Sequence, residues 1–142
     1  STLDRSSAAS DVYKRQGGKR SYHTIIPGFL LKDGAAVGPF GVMGAFMQPQ
    51  GQTEILVNTL DYHMNPQEAL DAPRIQWIGG RRLELEREAG EAIADELRAM
   101  GHEVTVVDDR ISMGRGQIIW RGEDGVYTAG TEPRCDGAVA AW

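Results

Sequence analysis

From Tyr22 the chain alternates polar and apolar positions, then turns apolar through Ile25, Ile26, Phe29, Leu30 and Leu31. Lys32-Asp33-Gly34 is a turn signal, and Ala35 to Met43 reads as the returning strand of a hairpin. Pro27 and Pro39 lack an amide donor, so they belong at strand edges or irregularities. Thr53 to Tyr62 has helical character, with Leu56, Thr59, Leu60 and His63 on one i, i+3, i+4, i+7 face. Asn65-Pro66-Gln67-Glu68 reads as an N-cap, a first-turn proline and an acidic third position. The short helix it opens stops before Pro73. Arg74 to Ile78 and Leu83 to Glu86 alternate as strands around Gly79-Gly80. Glu88 to Met100 is an amphipathic helix with Ala89, Ile93, Leu97 and Met100 as its inner stripe. Gly101 ends it, and Val104 to Val107 is the next strand. Gly116 to Trp120 and Val126 to Ala129 form a last hairpin over Gly122-Glu123-Asp124-Gly125. Strands, helices and hairpin-joined strands in this order, without a repeat or linker, predict an α+β layered fold with mainly antiparallel pairing.

One stretch stands apart from this alternation. Gly38 to Gln52 sets four glycines and an alanine among apolar residues and contains no charge. Small residues between a strand and a helix let the backbone approach a ligand or another segment closely. The amides of such a turn, aimed by a helix N-terminus, can hold an anion or a developing oxyanion. The plainer alternative is a bend that packs a strand against a helix. The spacing matches neither a dinucleotide fingerprint, a P-loop nor a nucleophile elbow.

Composition narrows the function classes. The 142 residues suit one modest domain with a single core. A net charge of −5, with no basic run, argues against a nucleic-acid partner. No apolar stretch approaches membrane-spanning length and nothing resembles a signal peptide, which leaves the compartment open. Cys135 is the only cysteine, so no internal disulfide forms, and no motif frames it as a nucleophile. His63 and His102 read as helix-end and connecting residues without metal-ligand spacing. Asp61 and Glu68 read as solvated or capping carboxylates rather than an acid/base pair. Asp108-Asp109 beside Arg110 reads as a solvated loop. No metal, nucleotide or flavin signature is present, so no cofactor is expected.

Four blocks in order carry a family resemblance. They are Ser21 to Phe29, Gly41 to Gly51, Asn58 to Arg74, and Gly130-Thr131-Glu132-Pro133-Arg134. Together they resemble the gamma-glutamyltranspeptidase-like proteins, which are N-terminal-nucleophile hydrolases. The resemblance covers residues 18–142 and matches the C-terminal part of the family's small subunit, without the part that begins with its nucleophile. It implies a layered αββα sandwich, here incomplete. It also implies a gamma-glutamyltransferase or hydrolase that cleaves gamma-glutamyl amides such as glutathione. In that chemistry a threonine freed by autocleavage forms an acyl-enzyme, with its own α-amine as base, and water or an amino acid accepts the acyl group.

The matching positions give expected roles. The backbone amides of Gly44 and Ala45 align with the family's oxyanion hole, Ala45 replacing a second glycine. His23 and Thr24 align with the hydroxyl pair that holds the substrate's α-carboxylate, His23 offering a ring donor instead. Expected partners are a small gamma-glutamyl substrate and the missing large-subunit and small-subunit N-terminal segments, so this chain alone is expected to be inactive. The departures at His23 and Ala45 keep a β-lactam or glutaryl acylase of the same fold as an alternative, and a non-catalytic interaction module as another. Residues 1–17 are polar, Ser-rich and aperiodic, resemble translated adapter sequence, and are set apart as a non-native or disordered leader. Ser1 or Thr2 as an N-terminal nucleophile is rejected, because Leu3 to Ser7 has no strand pattern.

Overall fold

The computed structural model describes Gly18 and residues 24–142, so the leader at 1–17 and His23 lie outside the described residues. Strand β1 (Gly28–Lys32) returns as β2 (Ala35–Met43) through Asp33-Gly34, whose φ angles of 52° and 82° define a two-residue turn. Positive φ at both turn residues gives the twist that matches paired strands. The register shifts between Leu30 and Leu31, because Leu30 faces Gly38 while Leu31 faces Ala36. That bulge adjoins Pro39, so a proline sits within a central strand where the ladder is already irregular.

Strand β6 (Arg115–Arg121) pairs with β2 and β7 (Tyr127–Thr131) pairs with β6, giving an antiparallel sheet in the order β1-β2-β6-β7. Its inner face carries Phe40, Val42, Ile118 and Trp120, which pack on Ile55, Ala69 and Leu70 from two helices. Phe40 and Trp120 meet as a tilted aromatic pair with centroids 5.7 Å apart. On the opposite face Phe29, Leu31, Ile119 and Tyr127 are exposed, beside a shallow cavity of about 260 Å³ lined by Pro27, Pro39, Gly41, Gln117 and Ile119 among others. Among the described residues one face is therefore roofed by helices and the other is uncovered.

The helices explain the roof. Helix α1 (Met47–Leu60) begins six residues earlier than the pattern predicts, so the end of the apolar bend, Met47 to Gln52, is its first turns. Its buried residues are Met47, Gln48, Gly51 and Ile55, whereas Leu60 of the predicted face is 51 % exposed. The phase counted from Thr53 misses the true inner stripe because that stripe starts before it. Helix α2 (Pro66–Asp71) has the expected capping box: Asn65 Oδ1 accepts from the Gln67 and Glu68 amides, and Glu68 Oε2 accepts from the Asn65 amide.

A second sheet has the order β3 (Ile75–Gly79), β4 (Arg82–Glu86), β5 (Glu103–Val107). Strands β3 and β4 form the expected hairpin, but β4 and β5 run parallel, joined across helix α3 (Glu91–Ala99). A 3-10 turn (Arg87–Ala89) and Gly90 replace the predicted first turn of that helix. Its inner contact is Ala94, with Leu97 half-buried, while Ile93 and Met100 of the predicted stripe are exposed. His102 is half-buried rather than exposed. The architecture is α+β with mostly antiparallel sheets, as expected, and the β4–β5 pair is its parallel exception.

Candidate active site

The chain leaves β2 at Met43 and enters α1 at Met47 through Gly44, Ala45 and Phe46. Gly44 has φ 146°, Ala45 has φ 51°, and Phe46 is helical at φ −69°, ψ −15°. Their carbonyls are used: Gly44 O accepts from the Met47 amide at 2.9 Å and Ala45 O from the Gln48 amide at 3.2 Å. Their amides are not. Among the described residues no protein acceptor pairs with the Gly44, Ala45 or Phe46 N–H, and the β2–β6 ladder stops at Met43. Phe46 caps α1 without any side-chain bond, and the first turn holds no acidic residue. A left-handed residue followed by a right-handed one turns successive amides into a concavity that attracts negative charge, and the helix dipole adds to it.

The turn is held from beneath. A Cβ on Gly44 would sit 2.9 Å from the Cα of Gly114, and one on Gly114 would sit 2.7 Å from Val42 Cγ1. Two backbones thus cross with no room for side chains. Gly114 is in turn fixed by Arg74, whose buried guanidinium donates to Met113 O at 2.9 Å and Gly114 O at 3.1 Å. Arg74 also donates to Glu132 Oε2 at 2.9 Å, which accepts the Gly116 amide at 2.6 Å as well. Arg134 completes the cluster through Glu132 Oε1 at 2.6 Å and both oxygens of Glu86. Burial pulls the Arg74 guanidinium below its usual pKa. Burial acts the same way on Arg134, but its bonds to Glu86 and Glu132 outweigh it and raise the value. Glu54, on α1 close by, accepts from the Ile75 amide at 3.1 Å, and burial pushes its carboxyl up to about 7.

Thr24 is exposed and lies on the segment that leads into β1. Three glutamine side chains from the first turns of α1 fasten neighbouring backbone. Gln48 donates to Thr24 O at 2.6 Å and accepts from the Ile26 amide at 3.1 Å. Gln52 donates to Ile26 O. Gln50 accepts from the Trp77 amide at 2.7 Å, tying β3 to the other side of the helix. None of the three stands out in the sequence, because Pro49 and Gly51 make their segment look like a bend; glutamines at i, i+2, i+4 around Gly51 are the available signal. Glu68 serves the capping box, Asp109 accepts from the Ile111 amide, Asp108 pairs with Arg87, and Cys135 Sγ lies against Glu132 O. Among the described residues none of these hydrogen-bonds to the turn at residues 44–46.

This mostly antiparallel α+β fold is similar to that of gamma-glutamyltranspeptidases of solved structure, an N-terminal-nucleophile hydrolase fold. The chain belongs to the gamma-glutamyltranspeptidase family, whose model, described as Gamma-glutamyltranspeptidase, matches residues 2–142. It is 37% identical over 129 residues to a glutathione hydrolase-like YwrD proenzyme of Bacillus subtilis (strain 168), covering 85% of this chain and 24% of that protein. The chain thus spans about a quarter of that relative's length. Among solved structures it is similar to a cephalosporin acylase from Bacillus halodurans, at 55% identity and TM-score 0.82, over 90% of this chain and 24% of that one. It is also similar to a mutant gamma-glutamyltranspeptidase from Helicobacter pylori, at 26% identity and TM-score 0.69, over 85% of this chain and 66% of that one.

Proposed function

We propose that this chain supplies the oxyanion hole and part of the substrate pocket of a hydrolase that cleaves gamma-glutamyl amides such as glutathione. The nucleophile is an N-terminal threonine carried on a segment outside these 142 residues. Its hydroxyl adds to the amide carbonyl while its α-amine takes the proton, and the carbonyl oxygen becomes an oxyanion. Collapse expels the amine and leaves an acyl-enzyme, which water or an acceptor amino acid resolves. The Gly44 and Ala45 amides receive the oxyanion in both steps. Losing one such donor costs about 3 kcal/mol of transition-state stabilisation. Thr24, with His23 beside it in sequence, contacts the substrate's carboxylate end. The observation that carries this reading is the turn at residues 44–46, whose amides have no protein acceptor among the described residues.

A second reading is supported by two observations. The similarity to the cephalosporin acylase is high, and Ala45 and His23 depart from the transpeptidase pattern. On that reading the acyl group is a glutaryl or β-lactam side chain and the turn does the same work. Expression of the complete coding sequence and assay of gamma-glutamyl and glutaryl anilides separates the two. Preference for the gamma-glutamyl anilide supports the first reading, preference for glutaryl the second, and turnover of neither overturns both. Turnover of either anilide by the 142-residue chain alone contradicts the need for an external threonine.

A further inference from the structure

We infer that Gln48 is a positioning residue that locks the substrate-contacting segment to the oxyanion turn, so that the two sides of the pocket move as one body. The inference rests on the proposed roles of Thr24 and of the Gly44–Ala45 amides, and goes beyond them by naming what sets their spacing.

The geometry is local and specific. The Gln48 backbone amide donates to Ala45 O, which closes the first turn of α1 and fixes the residue whose own amide is proposed above to receive the oxyanion. The side chain of the same residue reaches across to donate to Thr24 O and accept from the Ile26 amide. Its carboxamide therefore reads the lead-in segment as a neighbouring strand peptide would, with one donor and one acceptor on alternate backbone groups. Gln48 is 7 % exposed, so its carboxamide is shielded on its own side of bonds whose backbone partners, on Thr24 and Ile26, lie at the surface. Residues 24–27 have no regular ladder of their own, and β1 starts only at Gly28. Gln52 adds a bond to Ile26 O one turn further along the helix. Without these amides, nothing else among the described hydrogen bonds reaches the backbone of Thr24 or Ile26. An apolar residue at position 48 would fill the same space and leave both backbone groups unpaired.

The test has a structural arm on this chain and a kinetic arm on the complete enzyme. Gln48→Met keeps the volume and removes both bonds; Gln50→Met is the control, because it frees Trp77 on the opposite side of α1 and removes one exposed bond to the Phe46 carbonyl without touching Thr24 or Ile26. Amide hydrogen exchange should show Ile26 at least roughly tenfold faster in Gln48→Met, with α1 protection retained and Ile26 unaffected in Gln50→Met. If Gln48→Met loses protection throughout, Gln48→Asn, which keeps a carboxamide but withdraws it from the Ile26 amide by one methylene, supplies the same readout at Ile26. In the complete enzyme, Gln48→Met should raise KM roughly tenfold with kcat within about threefold of wild type, since ground-state and transition-state contacts through Thr24 weaken together. Gln50→Met should leave KM unchanged. Unaltered Ile26 exchange, or an equal KM rise in Gln50→Met, overturns the inference. An inactive wild-type enzyme would instead overturn the proposed function and leave the exchange result standing.

Discussion

Ala45 is the residue at which the site's geometry makes an unusual energetic demand. Its φ of 51° places a Cβ where L-residues are disfavoured by about 1–2 kcal/mol relative to glycine. Glycine loses more backbone freedom on folding, which takes back about 0.5–1 kcal/mol. Ala45→Gly is therefore expected to stabilise the chain by about 0.5–1 kcal/mol, read as a raised urea midpoint at unchanged m. Gly44→Ala next to it should do the opposite. Its Cβ would lie 2.9 Å from Gly114 Cα at a φ of 146°, so strain and overpacking together should remove about 2 kcal/mol or more. Ala36→Gly, in exposed strand without positive φ, controls for the bare entropic effect and should lose about 0.5–1 kcal/mol. In the complete enzyme Ala45→Gly keeps its amide donor, so kcat should stay within a few-fold. A destabilising Ala45→Gly, or a tolerated Gly44→Ala, would refute the turn geometry on which the site depends.

Other outcomes follow from the same structure. Arg134→Met leaves buried Glu86 without its cation and Glu132 with Arg74 alone, and should remove about 3–5 kcal/mol in urea unfolding, whereas Lys32→Ala at the exposed pair with Glu123 should change stability by less than about 1 kcal/mol. Glu54 has its folded pKa raised from 4.5 to about 7, so the native state holds the extra proton between those values. Stability from this group is full below pH 4.5 and is lost as pH rises through 7, by up to about 3 kcal/mol, and Glu54→Gln should flatten that decline in urea titrations run from pH 4.5 to 7.5. The bare sheet face with Phe29, Leu31 and Ile119 should bind an anilinonaphthalene dye in the 142-residue chain, and Ile119→Lys should lower the fluorescence; a monodisperse wild-type chain with no dye signal would speak against a missing covering segment.

Local rules were legible in the residues and distant partnerships were not. Asp33-Gly34 and the Asn65–Glu68 box announce themselves within four residues, and the structure forms both. Helix α1 was read six residues short because Pro49 and Gly51 look like bend residues. Pro49 instead lies in the first turn, where a proline's missing amide is harmless, and Gly51 lets the helix lie against Val42, 2.9 Å from where a Cβ would be. The exposed Ile93 and Met100 show that an amphipathic stripe names a face without saying whether this chain covers it. The parallel β4–β5 pair was hidden because strand direction depends on the path of α3 rather than on strand composition. The buried Arg74–Glu132 contact joins residues 58 positions apart, and no spacing rule points from one to the other. The turn at Gly44 is visible as glycines among apolar residues, but its proposed role toward a reacting carbonyl comes only from the family resemblance.

The central claim is that the Gly44 and Ala45 amides face the oxygen that becomes negative. A crystal structure of the complete, processed enzyme with a tetrahedral adduct on its N-terminal threonine tests it most directly. The adduct oxygen should lie about 2.7–3.1 Å from both nitrogens. An adduct oxygen held by other donors, with these two amides bonded to protein carbonyls, would contradict it.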